Sequence, residues 1–309
     1  METVIEHIDF CPTLNPNTIW TWVFDDVADC YKFEQVELNT AVAGDTDSCM
    51  LEFGDIGVDT SDHDTYIEIA DEIGDIVNGT FPDFIQHAFN CPDGRKGSIT
   101  TGREIVSDRS LFLSKKRYIM HVIDDEGKRV DKLKIMGVEI KKSDTPDIVR
   151  SMLMDTVNMI LDGMEGADIL AEIKKMKDAY QHASFKEIAR PISCKGIKKG
   201  QDIWDATGSM KGIPYQVRAA LFYNANCGIT DKRVVPGDKI GVVYIKHAKS
   251  KYIGFPIDIN TFPKFMDDII VDWDTQWDKA FKKIESYISS VGLDIKSRKA
   301  TVRKNLFGF

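Results

Sequence analysis

The sequence predicts an α+β chain. An antiparallel sheet with packed helices comes first, followed by a mainly helical part with a small β insertion. Two kinds of signal carry this reading. Short apolar or alternating runs flank tight polar turns at "GDTDS" (44–48) and at Asp124–Gly127, the pattern of hairpins. Longer stretches at 60–79, 141–163, 167–183 and 262–292 carry helical patterning, with apolar residues three and four apart.

In chain order, "NTIWTWVFDD" (17–26) alternates and is aromatic, which suits a strand. "FEQVELNTAVA" (33–43) reads as one or two strands running into Asp45 and Asp47, and "SCMLEF" (48–53) as the strand leaving them. "TSDHDTYIEIADEIGDIVNG" (60–79) predicts a helix capped by Thr60 or Ser61 and stopped at Gly79, with a second short helix over "PDFIQHAFN" (82–90). "RYIMHVIDDEGKRV" (117–130) predicts a hairpin. "KKSDTPDIVRSMLMDTVNMILDG" (141–163) predicts a helix with Ser143 or Thr145 as cap and Pro146 in its first turn; Ile148, Met152, Val157 and Ile160 share one face. More helix follows through 167–183. "KIGVVYIKH" (239–247) is a strand within a Gly-, Pro- and Lys-dotted region, and 262–292 is a final helical stretch.

The 309 residues suffice for a large core and more than one subdomain. No apolar run approaches the ~20 residues of a membrane span, and "METVIEHIDF" lacks the basic start and apolar core of a signal peptide. The chain reads as soluble and unexported. Its six cysteines are scattered with no C-x-x-C pair, which argues against structural zinc and a disulfide framework and for free thiols in a reducing cytoplasm. The net charge of −9 hides an asymmetry. Residues 1–90 hold 20 acids and one base, Lys32, while the remainder is net +10. A basic part can face a polyanion; an acidic part can hold cations or a basic partner, or simply be a solvated surface.

Asp45 and Asp47 are two apart, so in extended backbone they project to the same side and on a turn can converge on a cation. An Asx turn without ligand is the plain alternative. An EF-hand is excluded, because the sixth and twelfth positions from Asp45 are Met50 and Ile56 rather than Gly and Glu. Nucleotidyl transfer fits better, since two magnesium ions about 3.5–4 Å apart need bridging carboxylates.

"GDTDSCMLEF", then "SLFLSKKRYIMHV", then "KLKIMGVEIKKSDTP" leading into a helix, resembles the C-terminal third of the family B replicative DNA polymerases of large tailed phages. The resemblance covers residues about 40 to 309. It continues more weakly through "KGIPYQVRAALFYN" into the short aromatic C-terminus. It implies that residues 41–140 are the C-terminal part of a palm, 141–300 a thumb and 301–309 a clamp-binding tail. Residues 1–40 are unassigned and could dock a partner.

The resemblance further implies that Asp47 is the main metal ligand and Asp45 an auxiliary carboxylate, holding two Mg2+ shared with another chain. The Tyr that the family places before the Gly is Ala43 here. Lys115, Lys116, Arg117 and Tyr118 match a lysine-rich strand that grips the primer-template, with Lys116 at the minor groove and Tyr118 bracing it. A minor-groove lysine tests pairing geometry without reading sequence. By itself KKRY could equally be a solvated basic strand. Lys134, Lys211 and Arg218 are weaker matches for DNA contact. Leu306, Phe307 and Phe309 would bind a sliding clamp, or fold back on the thumb.

The sequence has no D-x-x-S-L-Y-P-S-like palm motif, no K-x-x-x-N-S-x-Y-G-like fingers run and no exonuclease motifs. The reading is therefore the C-terminal subunit of a split DNA-directed DNA polymerase, incomplete alone. An N-terminal chain would supply the exonuclease, the fingers and the rest of the palm. Primer-template DNA, dNTP and a sliding clamp would be its other partners, in the cytoplasm of an infected bacterial host. A fragment begun at a chosen methionine is the other way to such a sequence. A non-catalytic duplex-DNA-binding thumb module or accessory subunit, and an unrelated metal-dependent phosphotransferase, are the competing functions.

Overall fold

A computed structural model describes residues 18–25, 30–37, 41–45, 48–52 and 61–293, with side chains from Ser48 onward. The described residues form two compact units that divide between Val106 and Ser107. Among them the structure is mixed α and β, with antiparallel pairing in the sheets and seven α-helices.

The first unit opens with two antiparallel hairpins. Strand β1 (Thr18–Asp25) pairs with β2 (Cys30–Glu37) from Thr18↔Glu37 to Asp25↔Cys30. Aromatic and β-branched residues fill β1, as a pleated surface favours. Strand β3 (Ala41–Asp45) pairs with β4 (Ser48–Leu51), with Asp45 opposite Ser48 and a register shift between Ala41 and Ala43.

Helix α1 (His63–Phe89) then runs for 27 residues. Its cap is Asp62, not Thr60 or Ser61: the Asp62 carboxylate accepts from Thr65 N at 3.2 Å and from Thr65 Oγ1 at 2.6 Å. It does not stop at Gly79. The two helices expected here are one, passing through Gly79 and Pro82 and ending at Asn90 in the left-handed region, φ 51°. Pro82 removes one backbone donor, yet neither residue outweighs continuous helical patterning on both sides. Ile85 is the sole buried residue of α1.

The second unit begins within β5 (Ile105–Ser114), which forms a three-stranded sheet in the order β5-β6-β7 with β6 (Arg117–Asp125) and β7 (Lys128–Met136). Glu126 and Gly127 turn β6 into β7 with φ of 53° and 81°, the pair of positive values that matches strand twist in a two-residue hairpin. A 3-10 turn over Glu139–Lys141 leads to α2 (Asp147–Leu161). Neither Ser143 nor Thr145 caps α2. Pro146 occupies the cap position without a side-chain bond, and Thr145 Oγ1 donates instead to Glu139 O at 2.8 Å.

Helices α3 (Gly166–Gln181) and α4 (Phe185–Ile188) follow, then β8 (Arg190–Ser193), α5 (Ile197–Thr207) and α6 (Tyr215–Asn226). Strands β9 (Lys239–Tyr244) and β10 (Tyr252–Pro256) complete a second sheet in the order β10-β9-β8, and α7 (Trp273–Ser290) closes the described chain. This is the small β insertion among helices. Leu153, Ile188, Ile240, Ile253 and Ile284 are fully buried in one core, each contributing about 1.5–3 kcal/mol on burial. The buried Gln276 of α7 ties helix to sheet: its Nε2 donates to Ile188 O at 2.7 Å and its Oε1 accepts from Tyr244 N at 3.1 Å. Cys49, Cys91, Cys194 and Cys227 are free thiols, and burial pushes the Cys194 thiol up to about 11. No helix among the described residues is long and apolar enough to cross a membrane.

Candidate nucleic-acid interface

Asp45 is the last residue of β3 in the β3–β4 hairpin. It stands opposite Ser48, the first residue of β4. Asp47, the expected principal ligand, lies outside the described residues, as do Leu306, Phe307 and Phe309. Among the described residues no group of three or more His, Cys, Asp or Glu is assembled for a metal. By sequence alone, two carboxylates two residues apart are donors of the kind a hard divalent cation takes.

Lys115 and Lys116 sit not on a strand but in the two-residue turn joining β5 to β6, with Lys116 at φ 61°. Both are exposed. Arg117 and Tyr118 open β6, and alternation sends them to opposite faces of the sheet. Tyr118 pairs with Met136, and Met120 pairs with Lys134, so Tyr118 and Lys134 share a face. Phe112 supports Tyr118 at a ring distance of 5.8 Å. The structure thus brings Lys115, Lys116, Tyr118 and Lys134 onto one small sheet.

Arg117 takes the other face. Its Nη2 donates to Glu139 Oε2 at 2.5 Å. Burial pushes the Glu139 carboxyl upward, but its own backbone amide, Lys142 and Arg117 outweigh this and hold it below the usual range. Lys283 of α7 donates to Thr145 Oγ1 at 3.2 Å, so α7 reaches the Glu139 carbonyl through one hydroxyl. Burial lowers the Lys283 pKa. Beside them, Arg190 pairs with Asp144 at 2.6 Å.

Lys211 is exposed in the loop before α6. Arg218 of α6 lies over the Tyr252 ring, 5.9 Å from its centroid, and Tyr252 packs on Tyr215 at 5.5 Å and Tyr244 at 5.2 Å. These two cations therefore belong to the helical part of the second unit, on elements other than the three-stranded sheet.

Sequence reasoning missed Glu139, Thr145 and Lys283 as partners of this strand. Glu139 follows Arg117 by 22 positions, and only the hairpin register brings them together. It also missed a polar clamp across the same sheet. His121 of β6 meets Asp108 of β5 through Nδ1 at 2.6 Å and Asp131 of β7 through Nε2 at 2.7 Å. Asp108 first, then Asp131, raise the His121 pKa above its ordinary 6.5, against opposing burial and the charge of Arg109. Arg109 in turn reaches Asp162 at 2.7 Å.

The β3–β4 hairpin, the basic β5–β6 turn and a helix-rich part follow one another along the chain. The family model for DNA polymerase family B matches residues 20–195, more than half of the sequence, and the chain belongs to that family. It is 27% identical over 225 residues to the DNA-directed DNA polymerase of Enterobacteria phage T4, covering 69% of this chain and 23% of that protein. It is 30% identical over 198 residues to the DNA-directed DNA polymerase of Escherichia phage RB69, covering 61% and 22%. The chain thus spans under a quarter of these relatives' length. The family B DNA polymerase of the hyperthermophilic archaeon Pyrobaculum calidifontis superimposes with a TM-score of 0.44 at 15% identity, over 70% of this chain and 24% of that one.

Proposed function

We propose that this chain is the C-terminal subunit of a template-directed DNA polymerase. It supplies one metal-binding carboxylate motif, a primer-template grip and a thumb, and a partner chain supplies the other palm carboxylate, the fingers and proofreading. The carrying observation is the family B match over residues 20–195, within which the GDTDS hairpin and the KKRY hairpin occur in order. The phage relatives support a replicative role in an infected bacterial cell.

Asp47, with Asp45 as auxiliary, would hold Mg2+ together with the partner's carboxylate; the metals, when bound, activate the primer hydroxyl and neutralise charge on the transferring phosphate. This chain's own residues bind and orient. Lys115 and Lys116 approach the duplex from the exposed turn. Tyr118 and Lys134 back them on one face, and Lys211 and Arg218 contribute from the thumb. Residues 41–140 serve as palm and 141–300 as thumb, and the tail at 301–309 engages a sliding clamp.

Exposed apolar surface supports a place for further palm beside the first hairpins and helix. Ile76, Phe84 and Phe89 of α1 are 53%, 58% and 70% exposed. Isolated two-stranded hairpins are at best marginal, and β1–β2 and β3–β4 form separate two-stranded sheets. More palm would complete both.

The test is substitution in the reconstituted pair. Asp47→Ala abolishes DNA synthesis and spares primer-template binding, and Asp45→Ala is milder. Full synthesis by the Asp47→Ala pair would refute the metal assignment.

A further inference from the structure

We propose that Arg117, although part of the KKRY run, does not contact DNA; with Glu139, Thr145 and Lys283 it forms an anchor that holds the Lys115–Lys116 turn to α7. The inference rests on the DNA-binding reading above and gives this strand a different division of labour.

Three observations carry it. Arg117 leaves the sheet on the face opposite Tyr118 and Lys134, so the backbone that presents those two turns Arg117 away. Its guanidinium is already engaged by Glu139 at 2.5 Å, with the Arg117 side chain only 33% exposed and that of Glu139 16%. Surrendering that carboxylate for a phosphate would leave a largely buried anion paired directly with Lys142, 3.2 Å away, and with the more distant charge of Lys283.

The backbone of Glu139 is itself held from behind. Thr145, fully buried, donates to the Glu139 carbonyl at 2.8 Å and accepts from Lys283 at 3.2 Å. Tyr287, one turn further along α7 and also fully buried, packs its ring into the same core; burial first, and the Glu139 charge next, push its hydroxyl pKa upward. The path runs from the turn through Arg117, Glu139 and Thr145 to Lys283, so it joins the basic turn to the last helix of the described chain. Glu139 and Lys283 are on this account positioning residues. They act on DNA through the placement of Lys116.

A phosphate contact and an anchor differ in one readout. Each phosphate neutralised contributes about 0.9 to the slope of log affinity against log salt. Primer-template binding by the full chain, measured by fluorescence anisotropy over a salt series, separates them. Lys116→Ala lowers the slope by about 1. Arg117→Ala and Glu139→Gln each weaken binding by about fivefold with the slope unchanged, and their effects are not additive in the double variant. Thr145→Val, which removes the link to Lys283 and leaves every charge in place, weakens binding in the same direction. An Arg117→Ala variant whose slope falls as that of Lys116→Ala does, with Glu139→Gln without effect, would overturn the proposal. A wild-type chain that binds no primer-template would sink the DNA reading instead. The anchor is then decided by thermal midpoints of the same cycle: non-additive values carry it, additive values reject it.

Discussion

The backbone carbonyl of Lys116 lies in the space that a side chain at Gly137 would fill. A β-carbon built on Gly137 would penetrate that oxygen and stand 3.2 Å from Arg117 Cγ, and the Gly137 backbone has φ of +65°. Conformation and contact both require glycine there. The end of β7 thereby fits against the turn that presents Lys115 and Lys116. Gly137→Ala is expected to cost about 1–3 kcal/mol, read as a lowered thermal midpoint, and to weaken primer-template binding. An unchanged midpoint with unchanged binding would contradict this fit.

The His121 clamp makes stability depend on pH near neutrality. A histidine whose folded pKa is raised gives its full stabilisation below the unfolded value of about 6.5 and loses it as pH rises through the raised folded value. Asp108, Arg109 and Asp131 are the charged groups that set it. The thermal midpoint of the wild-type chain should therefore fall between about pH 6 and pH 8, and that of His121→Gln should fall less. Parallel profiles for the two proteins would exclude His121 as the source.

Removing residues 305–309 is expected to spare distributive synthesis on short templates by the reconstituted enzyme and to reduce clamp-dependent processivity on long ones. This rests on the proposed clamp contact: a short peptide with aromatic anchors would bind a clamp weakly, and DNA shared with it would raise the effective concentration. Equal loss of both activities would assign Leu306, Phe307 and Phe309 to the fold of this chain.

Much of the architecture was legible because the patterns are local. Turn residues between apolar or alternating runs located the β3–β4 and β6–β7 hairpins, and helical spacing located α2, α3 and α7. The misplaced details are decided by competition between neighbours. Asp62, Ser61 and Thr60 are all competent caps, and only the backbone at Asp62 presents its carboxylate to Thr65. Gly79 resembles a stop, yet periodicity resumes beyond it, and α1 continues to Phe89. The KKRY run was visible as a motif, but the division between turn and strand was not, nor was the opposite facing of Arg117 and Tyr118. Those depend on where β6 begins and on its register with β7. Long-range partners such as Glu139 for Arg117 and Asp108 for His121 have no one-dimensional signature at all.

Primer extension by the purified chain, alone and mixed with a polypeptide carrying the missing palm and fingers motifs, tests the central claim most directly. The chain alone binds primer-template and extends nothing; the mixture extends the primer in a template-directed, Mg2+-dependent manner that Asp47→Ala eliminates. Extension by the chain alone would contradict the split site. Duplex binding without synthesis by the mixture would make this chain a non-catalytic DNA-binding module.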